Sequence, residues 1–113
     1  MYSKMSFAEL ETYHRNDNVE FKHLKMNDEK DELIVNTKGE LYRKMKSGNW
    51  KQIANKNNHA KGYNVILISK KQYMRSKIVM HAFKGLDLHE KYINICHVNK
   101  DRLNCELSNL VLK

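Results

Sequence analysis

Proline is absent from this 113-residue chain, glycine occurs four times and cysteine twice. Without proline no helix or strand is broken by the ring, and the turns must come from glycine, asparagine and serine. Cys96 and Cys105 are too few for a disulfide framework, which fits a reducing compartment. The longest apolar run, Val65-Ile66-Leu67-Ile68, is far too short to cross a bilayer, and Met1 to Glu11 holds no apolar signal core. The chain is therefore expected inside a cell, in the cytoplasm (a host cell's included) or an organelle, and neither secreted nor bound to a membrane. Hydrophobic residues make up 41% and charged residues 30%, a composition that folds around one modest core.

The most informative absence is of acid. Residues 41–84 contain eleven Lys and Arg and no Asp or Glu, a net of +11. Residues 1–40 carry a net of −3, and residues 85–113 balance at four charges of each sign. A stretch of one sign this long builds a local potential whose natural counterpart is a phosphate backbone, where displaced counterions drive association. A merely solvated basic face is the plain alternative, but it leaves the complete lack of acids without a reason. A membrane surface fits less well, because the segment alternates like a strand and does not form a basic amphipathic helix.

Local signals define the elements. Ser6 is placed to cap a short helix over 6–13, with Glu9 completing a capping box. Residues 14–30 look polar and irregular. Leu33-Ile34-Val35 and Glu40-Leu41-Tyr42-Arg43 read as strands about an Asn36–Gly39 turn, and Ser47-Gly48-Asn49 is a second turn before Trp50. Asn55 to Gly62 is a polar loop. Tyr63 to Ile68 is the clearest strand, and Tyr73 to Arg75 continues the sheet after a turn. Ser76 to Phe83 reads as a helix capped by Ser76 and stopped by Gly85, with Ile78, Val79, Ala82 and Phe83 on one apolar face. Tyr92 to Cys96 and Leu110-Val111-Leu112 are strand-like, with a polar turn over 99–102. These signals predict a small α+β domain of short antiparallel strands with two or three short helices.

Four features stand in order: Gly62-Tyr63 opening a strand; the helix Ser76-Lys77-Ile78-Val79-Met80-His81-Ala82-Phe83; Cys96-His97-Val98-Asn99; and Asn104 with Asn109-Leu110. In this order they resemble the HNH endonuclease superfamily, in its phage and intron homing-endonuclease branch, over residues 31–113. The twelve-residue spacing from His97 to Asn109 is the most specific part. The resemblance implies a hairpin wrapped around one divalent metal, magnesium or manganese, with His97 as general base on a water and Asn109 orienting it. It implies that Asn104 shapes the loop, and it divides the chain into an N-terminal helix and polar extension (1–30) and an HNH-like nucleic-acid-binding domain (31–113).

Three departures qualify what the resemblance implies for catalysis. The position of the acidic metal ligand holds Cys96, a soft donor and a weak candidate for magnesium. The leading helix begins Ser76-Lys77 where the family has His-Arg. The sequence runs to Lys113, four residues past Asn109, so the hairpin is expected to lack the family's last helix and its final ligand. Zinc held by Cys96, His97 and Cys105, with His81 or His89, is not expected, since no Cys-x-x-Cys pair is present.

Lys61, Lys70, Lys71, Arg75 and Lys77 are the predicted phosphate contacts, at a loop, a hairpin turn and a helix start. Trp50, Tyr42, Tyr63 and Tyr73 within the basic stretch are expected in the core before they are expected on bases. Asp28, Glu29, Asp31 and Glu32 keep that face off nucleic acid or dock a protein partner. The expected function is nucleic-acid binding, DNA before RNA, with metal-dependent cleavage degenerate or lost. Its rivals are a working nicking endonuclease, a structural RNA-binding subunit of a ribonucleoprotein particle, and a module that mimics or blocks a nuclease partner.

Overall fold

The structure is a computed structural model that describes residues 4–26, 30–90 and 92–112. The fold is built outward from β3 (Asp31–Asn36), whose last four residues are all buried. Alternation along a strand sends Leu33 and Val35 to one face and Ile34 to the other. Both faces are covered, so the run carries no polar alternation. On one face Ile34 packs with Tyr42, Trp50 and Leu10. On the other, Leu33 and Val35 join Leu41, Ile66, Ile78, Val79 and Leu110 in the main core.

Five antiparallel strands form the central sheet in the order β1-β5-β4-β3-β2, with β1 at Lys4–Met5, β2 at Phe21–Met26, β4 at Leu41–Lys44 and β5 at Trp50–Gln52. Helix α1 (Phe7–Asn16) lies on the Ile34 face through Leu10. Ser6 caps it by accepting from the Glu9 amide at 3.2 Å, as its sequence predicts. The opposite face is covered by helix α2 (Arg75–Lys84) and a hairpin of β6 (Val65–Ile68) and β7 (Lys71–Met74). A third, two-stranded sheet pairs β8 (Ile95–His97) with β9 (Leu110–Leu112), and a 3-10 turn over Leu107–Asn109 leads into β9. The described residues thus make an α+β domain of two helices and nine short antiparallel strands in three sheets. None of its helices is long and apolar enough to cross a membrane.

Several elements differ from their sequence reading. Helix α1 continues through His14 to Asn16, and Phe21–Met26 is a strand in full register with β3, from Phe21 opposite Asn36 to Met26 opposite Asp31. Phe21 packs on the Ile34 face and Leu24 and Met26 on the opposite one, and the exposed Lys22, His23 and Lys25 between them hide both. A boundary at residue 30 therefore falls inside a paired hairpin. Strand β8 is shorter than the Tyr92–Cys96 reading and begins at Ile95. Ser76 does not cap α2: the helix begins one residue earlier, the cap position is Met74, and the Ser76 hydroxyl is enclosed with no hydrogen-bond partner. Gly85 does end α2, with φ 71° and its amide on the His81 carbonyl.

The largest correction concerns Arg75, which reads as a phosphate contact but is 1% exposed. Its Nε donates to Asn64 Oδ1 at 2.8 Å, Nη1 to the Gly39 carbonyl at 2.8 Å and Nη2 to the Ile53 carbonyl at 2.7 Å. One guanidinium thus ties α2 to the start of β6, the β3–β4 turn and the end of β5. The turn it holds is itself wedged. Gly39 has φ 82°, and a Cβ there would lie 2.5 Å from the Cys105 carbonyl oxygen, so only glycine admits this approach. Replacing Arg75 by methionine leaves three acceptors unpaired, each at about 1–3 kcal/mol. A loss of at least about 3 kcal/mol in urea denaturation is expected; a loss below 1 kcal/mol would show that the network holds nothing together.

Candidate nucleic-acid interface

His97 closes β8, and a twelve-residue excursion separates it from Leu110, its partner on β9. Asn109 folds that excursion back. Its Oδ1 accepts from the Asn99 amide at 3.0 Å, and its Nδ2 donates to Asn99 Oδ1 at 3.0 Å and to the Asn104 carbonyl at 2.8 Å. Its own carbonyl accepts from the Val98 amide at 2.8 Å. Asn109 lies in the 3-10 turn before β9, and its side-chain bonds go to the loop rather than to the His97 ring. It fixes the backbone that leaves His97, which positions the histidine indirectly. Short Asx turns complete the loop: Asn99 Oδ1 accepts from the Asp101 amide at 2.9 Å, Asp101 Oδ1 from the Leu103 amide at 3.0 Å, and Asn104 Oδ1 from the Glu106 amide at 3.2 Å.

This loop forms one wall of a cleft of about 480 Å³. Tyr63, Asn94, Cys96, His97, Lys100 and Arg102 line it, and among the described residues no carboxylate does. The Arg102 guanidinium lies 5.1 Å over the Tyr63 ring and donates to the Lys61 carbonyl. Tyr63 in turn packs 5.9 Å from both His97 and His59. Lys100 is held at φ 65°, a backbone region that lysine seldom adopts. His97 is 6% exposed, and its Nε2 is enclosed without a hydrogen-bond partner. Burial holds its imidazole below the ordinary histidine value; the Asp101 carboxylate opposes that shift and Arg102 adds to it.

The divalent metal implied by the resemblance does not fit these residues. Around His97 the donors are a thiol, a phenol and an amide, with two cations beside them, and a hard cation calls for clustered oxygens. Among the described residues, no three His, Cys, Asp or Glu side chains group to hold a metal ion. Cys96 is half-buried in the wall, and its sulfur is a poor ligand for magnesium or manganese. The Cys105 thiol is buried, with burial pushing it up to about 11. What the cleft presents instead is positive charge and hydrogen-bond donors, the chemistry of a phosphate site.

The predicted phosphate contacts scatter. Lys61 joins the cleft through its carbonyl bond to Arg102. Lys70 and Lys71 sit at the far tip of the β6–β7 hairpin, roughly 20 Å along the chain from Tyr63 at about 3.3 Å per extended residue. Near that tip Ser69 donates to the Asp31 carboxylate and Arg43 to the Leu67 carbonyl at 2.6 Å, and Lys30, Arg43, Lys44 and Lys46 line a second depression. Glu32 there pairs with Lys44 at 2.9 Å. Asp28 and Glu29, grouped with Asp31 and Glu32 as a face that repels nucleic acid or docks a protein partner, lie outside the described residues. Lys77 is half-buried and donates to the Glu90 carbonyl at 2.6 Å. Arg75 is internal. Of the four aromatics, Trp50, Tyr42 and Tyr73 are core residues and only Tyr63 reaches a site.

Charge counting overlooked Lys100 and Arg102, because residues 85–113 balance overall. The signal that finds them is the Asn-Lys-Asp-Arg turn beside His97, whose exposed asparagine and aspartate accept from amides of the loop while its cations stay exposed. No family model, characterised protein or solved structure matches the chain.

His14 shares the depressed basicity of His97, again chiefly through burial. Asn36 Nδ2 lies 3.1 Å from His14 Nε2 and 2.9 Å from Glu40 Oε1, while Asn36 Oδ1 accepts from the Lys38 and Glu40 amides. With Oδ1 taken by two amides, Nδ2 is the donor and His14 Nε2 accepts as the neutral ring. Both histidines therefore bind protons more readily unfolded than folded. Stability is full above the unfolded value of about 6.5 and falls as pH drops through it towards the lowered folded values. Urea midpoints taken from pH 7.5 to pH 5 are expected to decline, and His14→Gln to flatten the decline to the share of His97. A midpoint that rises on acidification would contradict the assignment.

Proposed function

We propose that this chain is a nucleic-acid-binding domain on an HNH-like hairpin scaffold, with DNA the favoured ligand and metal-dependent phosphodiester cleavage degenerate or lost. The observation that carries the reading is the His97 cleft, where Lys100 and Arg102 stand beside a histidine and none of the lining residues is a carboxylate. What supports a hairpin of this kind is that His97 ends one strand and that Asn109, in the turn before the other, ties together the loop between them. The acid-free segment supplies further exposed cations at Lys61, Lys70 and Lys71. Affinity in this reading comes from phosphate neutralisation rather than from base edges. The reading of lost cleavage is supported by the enclosure of His97 Nε2 and by a lining whose donors are a thiol, a phenol and an amide.

One observation favours a working nicking endonuclease instead. Burial keeps His97 neutral near pH 7, as a general base requires. The two readings separate in a supercoiled-plasmid assay with magnesium, manganese or zinc, run beside His97→Ala and beside duplex and RNA binding. The expected result is binding that weakens about 500-fold between 50 and 200 mM salt, as five phosphate contacts require, with no nicking dependent on His97. Nicking by the parent and not by His97→Ala would make the protein a nuclease. Tighter binding of RNA would move it to a ribonucleoprotein role, and salt-independent capture of a protein to a partner-docking one.

A further inference from the structure

One side chain near the His97 cleft is explained neither by the core nor by the basic segment. Tyr92 is 91% exposed and stands two residues before Asn94, which lines the cleft. Two residues span at most about 7 Å of chain. A ring left in water contributes nothing to packing, but it is a platform on which any unpaired base can stack. Arg102 offers a second flat surface at the same cleft, pre-set by its place over Tyr63 and its bond to the Lys61 carbonyl. A guanidinium so fixed is a planar fork suited to a phosphate. Beside them Lys100 is held at positive φ by the Asn99–Asp101 turns, and His97 Nε2 is enclosed and unpartnered. Backbone strain and orphaned polar atoms concentrate where a ligand completes a site.

We infer that the His97 cleft is a metal-independent subsite for one unpaired nucleotide, with Lys100 and Arg102 on its phosphate and Tyr92 against its base. The inference rests on the nucleic-acid reading and narrows it to single-stranded segments. A volume of about 480 Å³ suits one nucleotide. A duplex keeps its bases stacked and presents a convex ridge of phosphates, which neither fills a concave cleft nor frees a base for Tyr92. With two cations and no carboxylate in the wall, the phosphate needs no divalent ion to neutralise it.

The test is fluorescence anisotropy on the full chain, with a labelled single-stranded DNA and a duplex of the same sequence, in EDTA and in magnesium. The single strand is expected to bind about tenfold more tightly than the duplex, equally in both buffers. Lys100→Asn with Arg102→Gln is expected to weaken it and to lower the salt slope by about 1.4, two phosphates' worth on a single strand. Asparagine is chosen because it tolerates the positive φ. Tyr92→Ser is expected to lose about tenfold at an unchanged slope. Arg102→Lys, which keeps the charge and loses the plane, is expected to keep the slope and lose affinity, and it serves if the glutamine variant does not fold. Equal or tighter duplex binding, a requirement for magnesium, or full affinity in Tyr92→Ser overturns the inference. Salt-sensitive duplex binding in that case leaves the broader reading standing, whereas failure to bind either probe removes both.

Discussion

The buried guanidinium of Arg75 is the interaction on which the rest of the structure depends. It gathers the Gly39 carbonyl of one turn, the Ile53 carbonyl beyond β5 and the Asn64 side chain before β6, and it does so from the first residue of α2. A planar cation with donors in a fixed fork is suited to this, since it meets several carbonyls without a rotamer search. Its consequence reaches the cleft. Asn64 precedes β6 directly after Tyr63, and Gly39 lies against Cys105 in the loop that Asn109 closes. The wall bearing Tyr63 and the wall bearing Lys100 and Arg102 are thus referred to one internal charge.

A second constraint shapes the electrostatics. The domain buries polar groups on the α1 side, where Tyr13 donates to Glu40 at 2.6 Å, Gln52 donates to the same carboxylate at 3.2 Å, and Asn36 joins His14 to it. Burial and the Glu40 charge raise Tyr13, and burial raises Tyr42 to about 12. That carboxylate is consumed inside the fold. On the cleft side the nearby carboxylate, Asp101, accepts from its own loop. Its charge still reaches His97, where it opposes the effect of Arg102.

Much of the architecture was legible from local chemistry. Ser6 with Glu9 marks the start of α1, Gly85 the end of α2, and the Asn36–Gly39 and Ser47–Asn49 turns bound their strands, because caps and turns are decided by neighbours in sequence. Strand β2 escaped notice because half of it faces solvent and carries lysine. Arg75 was misread for a deeper reason: an arginine at a helix start looks the same whether its fork meets phosphates or carbonyls, and only tertiary packing decides. The site was half legible. Spacing singles out His97 and Asn109 but not the loop bonds that connect them; a balanced charge count hides Lys100 and Arg102, although the Asx turns that present them are written in the sequence.

If nucleic acid is held at the His97 cleft rather than elsewhere on this basic protein, a bound strand shields the backbone of that cleft. Amide-resolved hydrogen exchange, with and without a single-stranded oligonucleotide, is then expected to show added protection over residues 58–63 and 94–103 and none over α1. Protection confined to α1, or to the Lys70–Lys71 hairpin tip with the cleft unchanged, would contradict that placement.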